Sequence, residues 1–177
     1  WILNQNSNIQ ILEHPIWTLQ EKTDENGKVI WRPPAEKIRD LYIIGVDGID
    51  IGMSQTSEYT KDPSDFCLVV YKRVYGLDEP KIVALYKDRP DDVRECYKIT
   101  IKLAQYYNAR INVEATRQSI ISYARREKLL NLFMKRPRAT LSDAIRNTNK
   151  QYGTPATPAI IDHQTDLIAD YVNDYCH

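Results

Sequence analysis

The sequence predicts an α/β fold, a mixed five-stranded sheet flanked by helices in the order β-β-β-α-β-α-β-α. Three observations carry this. Three runs rich in β-branched and aromatic residues, LYIIGVD, FCLVVYKRVY and PKIVALYKDRP, succeed one another with turn-forming residues between them. The hydrophobic period then changes to helical spacing. A short apolar run, ARINVEA, comes after that helix and requires a crossover connection back to the sheet. A chain of 177 residues suits a single well-buried core with a small extension.

Residues 1–34 read as an appendage and 35–177 as the main domain. IQILEHPIW is a short extended piece. IWTLQEKTDENGKVIW reads as a hairpin turning at Glu25-Asn26-Gly27, because Asn-Gly supplies the positive φ angles of tight turns. Pro33-Pro34 separates the hairpin from the main domain. The chain opens on Trp1 rather than Met and lacks the regions of a signal peptide, so a piece of a longer protein is expected.

The main domain opens with a strand over 41–47, then the polar loop MSQTSEYTKDPSD, then two further strands joined at Gly76-Leu77-Asp78. These form an antiparallel meander. In PDDVRECYKITIKLAQYYNA, Val93, Tyr97, Ile101 and Ala104 recur at helical spacing, and Asp91 and Asp92 stand at the helix's positive end. ARINVEA is then a buried strand ending at Glu114. TRQSIISYARREK is a helix with Thr116 as its expected N-cap, and LLNLFMKRP a fifth strand stopped by Pro137. Residues 138–157 read as loop with a short helix around LSDAIRN, and PAIIDHQTDLIADYVNDYC as a terminal amphipathic helix.

Composition narrows the function. Cys67, Cys96 and Cys176 are odd in number and widely spaced, which argues against a disulfide framework or a zinc knuckle. No apolar run approaches the roughly 18 residues of a membrane span. Net charge is zero, yet residues 117–150 hold nine Lys and Arg against Glu127 and Asp143. That asymmetry points to a polyanion partner, or to a solvated helix face and loop.

The element order creates a site. A right-handed helical crossover returns the ARINVEA strand parallel to the first strand, whose other neighbour is antiparallel. Ligands sit at the carboxyl ends of strands at such a switch point. Asp47 and Glu114 are the residues at those ends. Alone, Asp47 reads as a turn residue beside Gly48, and Glu114 as a helix cap. On neighbouring strands about 4.8 Å apart, two ionised carboxylates repel unless a cation intervenes, and a hard ion such as Mg²⁺ or Mn²⁺ resolves the conflict.

These residues carry a resemblance. IQILEHP, YIIGVDGIDIG, SDFCLVVYKR, INVEATRQS and the late YGTPATPAIIDHQTDLIADYVNDYC resemble the nuclease domain of the large terminase subunit of tailed bacteriophages, a ribonuclease-H-like fold. The resemblance implies an endonuclease that cuts concatemeric DNA by phosphodiester hydrolysis with two divalent ions, Mg²⁺ or Mn²⁺. Asp47 and Glu114 are then the metal-binding catalytic acids and Asp65 an auxiliary one. Gly153, Thr154, Thr157 and Pro158 match a late glycine-threonine element of the family.

The family's last aspartate has no counterpart, Asp162 and Asp166 being too close to Glu114, so it is expected beyond His177. On the DNA side the resemblance and the basic window together suggest Arg117 beside the scissile phosphate, with Arg125, Arg126, Lys128, Lys135, Arg136 and Arg138 along neighbouring phosphates. Implied partners are double-stranded DNA, an ATPase motor domain earlier in the parent chain, the portal and the small terminase subunit. The implied setting is the host cytoplasm, with no membrane. The chain itself has no GxxxxGK[ST] loop.

Two other classes compete. GVDGIDIGMSQT also looks like the phosphate loop of actin-like and sugar-kinase-like ATPases, with Asp50, Gly52 and Ser54 in a DxGxS pattern; that group needs a glycine-rich adenosine motif, and this chain has six glycines, none clustered late. A non-catalytic nuclease-like DNA-binding module predicts salt-dependent binding without cleavage. A two-carboxylate glycosidase sits poorly with the basic neighbourhood.

Overall fold

A computed structural model of the chain describes residues 8–16, 20–23, 25–32, 40–49, 65–115, 118–136, 148 and 151–176. The main sheet is five-stranded and mixed, in the order β1-β6-β5-β4-β7. Its strands are β1 (Ile9–Ile11), β4 (Tyr42–Asp47), β5 (Phe66–Lys72), β6 (Lys81–Asp88) and β7 (Arg110–Val113). The expected hairpin forms a separate sheet of β2 (Gln20–Thr23) and β3 (Val29–Arg32), with Gly27 at φ +76° in the turn. Three helices accompany the sheets: α1 (Arg94–Tyr107), α2 (Ser119–Arg126) and α3 (Pro158–Tyr175).

The meander forms as the sequence predicts. β4 pairs antiparallel with β5, and β5 with β6. Strict alternation sends Phe66, Leu68 and Val70 to one face, where they are buried, and leaves Cys67, Val69 and Tyr71 half-buried on the other. β6 carries a bulge at Val83–Ala84, both buried, where two of its residues meet one of β5. The crossover through α1 returns β7 parallel to β4, with Gly45 opposite Asn112 and Val46 opposite Val113. The core lies between the even-numbered residues of β4 and β5 and the buried sides of α1 and α2, among them Tyr42, Ile44, Leu103, Tyr107, Ile120 and Ile121. All four residues expected on the inner face of α1 are buried, Val93 at the N-cap and the others within the helix.

The fold departs from expectation in three places. The fifth strand of the sheet is β1, from the segment read as an appendage, and it pairs with the outer edge of β6. LLNLFMKRP is not a full strand: Leu130–Leu132 make a 3-10 turn, and only Phe133 and Lys135 bridge, Phe133 to Ile111 of β7. The physical cause is burial: Phe133 fills the core at 1% exposure, and reaching it requires the tight turn just before. The helix α2 is capped at Gln118 rather than Thr116, and no side-chain bond closes the cap; Thr116 lies outside the described residues, as does the expected helix around LSDAIRN.

A strap holds the start of the chain to this sheet. After β1, the backbone N–H groups of Leu12 and Glu13 both donate to Val83 O, and Tyr107 Oη donates to Glu13 O at 2.7 Å. Lys72, whose side chain is only 2% exposed, donates to Glu13 Oε1 at 3.0 Å and Asp78 Oδ2 at 2.9 Å. Lys81 adds a second cation on Glu13. Burial alone would lower the Lys72 pKa, but hydrogen bonds to Asp78 and Glu13 outweigh it and hold the ammonium above its ordinary value. The same contacts hold the Glu13 carboxyl below its usual range, Lys81 contributing most.

Candidate functional site

β4 ends at Asp47 and β7 ends at Val113, directly before Glu114. In the parallel register of these strands, Val46 faces Val113, so the next step places Asp47 beside Glu114. Alternation decides their face. Val46 and Val113 point into the core at 6% and 2% exposure, so their successors point to the opposite, open face. Asp47 is exposed there and Glu114 half-buried. Two carboxylates therefore share one face at the ends of two neighbouring parallel strands.

Asp65 stands on the same face, since it precedes buried Phe66 and lies two residues before Cys67, the cross-strand partner of Asp47. Its carboxylate pairs with Lys87 at 3.0 Å, which raises the Lys87 pKa. The electrostatics of these charged groups meet at Cys67. Burial pushes its thiol up, Lys87 draws it back, and the carboxylates of Asp47 and Asp65 push it up further.

The segment 151–154 closes the end of β7. Thr154 N donates to Val113 O and Ala115 N donates to Thr154 O, both at 2.8 Å, making a parallel bridge from Thr154 to Glu114. Gly153 allows this approach: it sits at φ +81°, and a Cβ there would fall 2.5 Å from Val113 O. Thr154 Oγ1 donates to Asn112 Oδ1 at 3.0 Å, on the same face as Glu114. Arg136 Nε donates to Gly153 O at 3.1 Å and its backbone N to Gln151 O. Glu114 is thus fixed from both sides, by β4 and by this late segment.

The basic residues divide. Lys135 and Arg136 lie beside segment 151–154, with Lys135 Nζ 5.8 Å from the Tyr152 ring centre. Arg125 and Arg126 sit in the last turn of α2, a helix about 12 Å long; Arg126 lies over the Tyr123 ring. Lys128 comes next at φ +59°. Arg117, Arg138, Asp50, Gly52 and Ser54 lie outside the described residues. Asp162 and Asp166 are exposed on α3 and do not join the pair.

Two neighbours of the acids escaped the reading of the sequence, Gly45 and Asn112. The signal for both is alternation: Gly45 is two residues before Asp47 and Asn112 two before Glu114, so each shares its acid's face. A shallow cavity between Tyr71, Arg73, Leu167 and Tyr171 lies elsewhere, beside Ile43 at the start of β4 and roughly 13 Å from Asp47 along the strand.

Among the described residues, no three His, Cys, Asp or Glu side chains converge as a metal group, and no helix is long and apolar enough to cross a membrane. Fold and site define an α/β domain with a mixed sheet and an acidic pair at its switch point. No family model matches the chain, and no curated protein matches it.

Proposed function

We propose that the chain is a metal-dependent endodeoxyribonuclease domain of the ribonuclease-H-like class, the nuclease part of a phage terminase large subunit that cuts concatemeric DNA during packaging. The observation that supports it is the pairing of Asp47 and Glu114 on one open face at the ends of two parallel strands. Their chemistry fits the proposed cation: two hard oxygen donors, partly open to water, suit Mg²⁺ or Mn²⁺, which keep several waters alongside one or two carboxylates. Asp65 would serve as a further ligand through Oδ1, its Oδ2 being paired with Lys87.

Bound ions would supply Lewis-acid polarisation of the phosphodiester and a water of lowered pKa. The protein's own contribution is positional. Asp47 and Glu114 act as ligands rather than as proton carriers, and the Thr154 bridge holds the backbone of Glu114. Lys135 and the part of the Arg136 guanidinium not bonded to Gly153 attract backbone phosphates without reading sequence. Arg117 and Arg125 extend the proposed DNA path, and the motor domain, portal and small subunit in the host cytoplasm complete the proposed setting.

The test is Mn²⁺-dependent nicking of supercoiled plasmid by the chain extended past His177 to include the expected last acid, alongside Asp47→Ala and Glu114→Ala in the same background. Both variants are expected to lose cleavage while keeping their fold by circular dichroism. Undiminished cleavage by either would sink the assignment, and salt-dependent binding without any cleavage would favour the non-catalytic module.

A further inference from the structure

Gly45 occupies the middle of β4, between Ile44 and Val46, where a β-branched residue would be more stable. Nothing in the backbone asks for glycine. Its φ is not in the left-handed region, and a Cβ built on it meets no described atom within 4 Å. A mid-strand glycine costs about 0.5–1 kcal/mol relative to alanine, and here the fold receives nothing in return. What the missing side chain leaves is space: an exposed hollow with Asp47 two residues along its own strand, Asn112 directly across on β7, and Glu114 diagonally beyond. A bare strand position of this kind suits the close approach of a ligand.

Asn112 shows which chemistry the hollow suits. Its amide oxygen is engaged by Thr154 Oγ1 at 3.0 Å, so its two N–H donors are the part left for a ligand. No described residue accepts from them. Thr154 is itself held by two backbone bonds at the end of β7, so the amide's orientation is set by the fold rather than by the ligand. Fixed N–H donors beside an open floor favour an anionic oxygen. Two carboxylates would repel that anion unless a cation lies between them.

We propose that the Gly45 hollow is the subsite for a backbone phosphate of the nucleic acid, with Asn112 donating to a non-bridging oxygen and Thr154 acting as the positioning residue for Asn112. This rests on the nuclease reading above and adds to it where the phosphate sits and what holds it.

The experiment measures three quantities on the native chain and on Gly45→Val, Gly45→Ala, Asn112→Ala, Thr154→Val and Thr154→Ser. These are thermal unfolding, Mn²⁺ affinity by calorimetry, and affinity for a short duplex in Ca²⁺ by fluorescence anisotropy. Gly45→Val is expected to fold at least as stably as the native chain and to bind Mn²⁺ within about twofold of it, yet to lose duplex affinity about tenfold or more, with Gly45→Ala intermediate. Asn112→Ala should lose affinity similarly. Thr154→Val should lose part of it and Thr154→Ser restore it. Native duplex affinity in a stable Gly45→Val or Asn112→Ala overturns the subsite alone. Absence of Mn²⁺ binding dependent on Asp47, or of duplex binding by the native chain, overturns the nuclease reading and the subsite with it.

Discussion

Replacing Gly153 by alanine tests how the late segment holds the end of β7. Two costs add. At φ +81° an alanine is in the left-handed region, worth about 1–2 kcal/mol. Its Cβ would also stand 2.5 Å from Val113 O and 3.0 Å from Val113 Cγ2. The first of these contacts is with backbone and cannot rotate away. Relief means opening the segment from β7 by about 1 Å, given ordinary carbon contact distances near 3.5 Å. That weakens the two 2.8 Å bonds between Thr154 and the end of β7, each worth about 0.5–1.5 kcal/mol net. The expected loss is therefore about 3 kcal/mol, divided between global stability and local opening.

Urea unfolding reads the global part, and amide hydrogen exchange at Ala115 and Thr154 reads the local part. Gly76→Ala is the control, since its φ is +61° but nothing lies within 4 Å of the added Cβ; it should pay the backbone cost alone. An unchanged midpoint for Gly153→Ala with Ala115 and Thr154 still protected would refute the reasoning. So would equal losses in the two variants, because the clash would then contribute nothing.

Four further outcomes are expected. Lys72→Met keeps the buried stem and removes two charge-assisted bonds, and with Glu13 and Asp78 able to rehydrate it should cost about 2 kcal/mol; a denaturant midpoint within error of native would contradict this. The folded pKa values of Glu13 and Asp78 lie below their unfolded ones, so their contribution is present above the unfolded carboxylate pKa and lost as pH falls through the folded values. Lys72 has the opposite sign, its contribution lost only as pH rises through its raised folded pKa. Stability measured across the acid limb should accordingly fall less steeply in Lys72→Met. Phe133→Ala, emptying a site 1% exposed, should cost roughly 3–5 kcal/mol by thermal melt; a loss below about 1 kcal/mol would show that Phe133 is not a core residue. Millimolar Mn²⁺ should raise the melting temperature of the native chain but not of Asp47→Asn, as expected for a ligand that binds only the folded site.

Strands β4 to β7 were legible as apolar, β-branched and aromatic runs, of which FCLVVYK also alternates without a break, and the helices by spacing, the α1 positions recurring every three to four residues. The parallel return of β7 to β4 came from the crossover, and with it the juxtaposition of Asp47 and Glu114. β1 was not legible as a sheet strand, since three residues carry almost no pattern and their pairing depends on an edge of β6 formed far away in sequence. LLNLFMKRP misleads because its apolar residues serve a turn and one core anchor rather than a ladder. Lys72 had a readable signal that composition hides: it falls on the same parity as Phe66, Leu68 and Val70, so it had to be buried and had to find acids. Gly45 and Asn112 also lay in plain view by parity, but a glycine in an apolar strand draws no notice until its surroundings are known to be open.

The two margins of the main sheet are finished differently, and this bears on how the protein behaves in concentrated solution. On the β6 side the last strand is three residues long, and Leu12 and Glu13 turn both their N–H groups back onto Val83. On the β7 side, Met134 N donates to Ile111 O and Thr154 N to Val113 O, so the outward carbonyls there are already taken. An open strand margin is a template on which another chain can add a strand. Here one margin is too short to serve as a template and the other is already filled by its own chain. Strand-by-strand self-association through this sheet therefore requires first peeling away 133–136 or 151–154, the second of which bridges to Glu114.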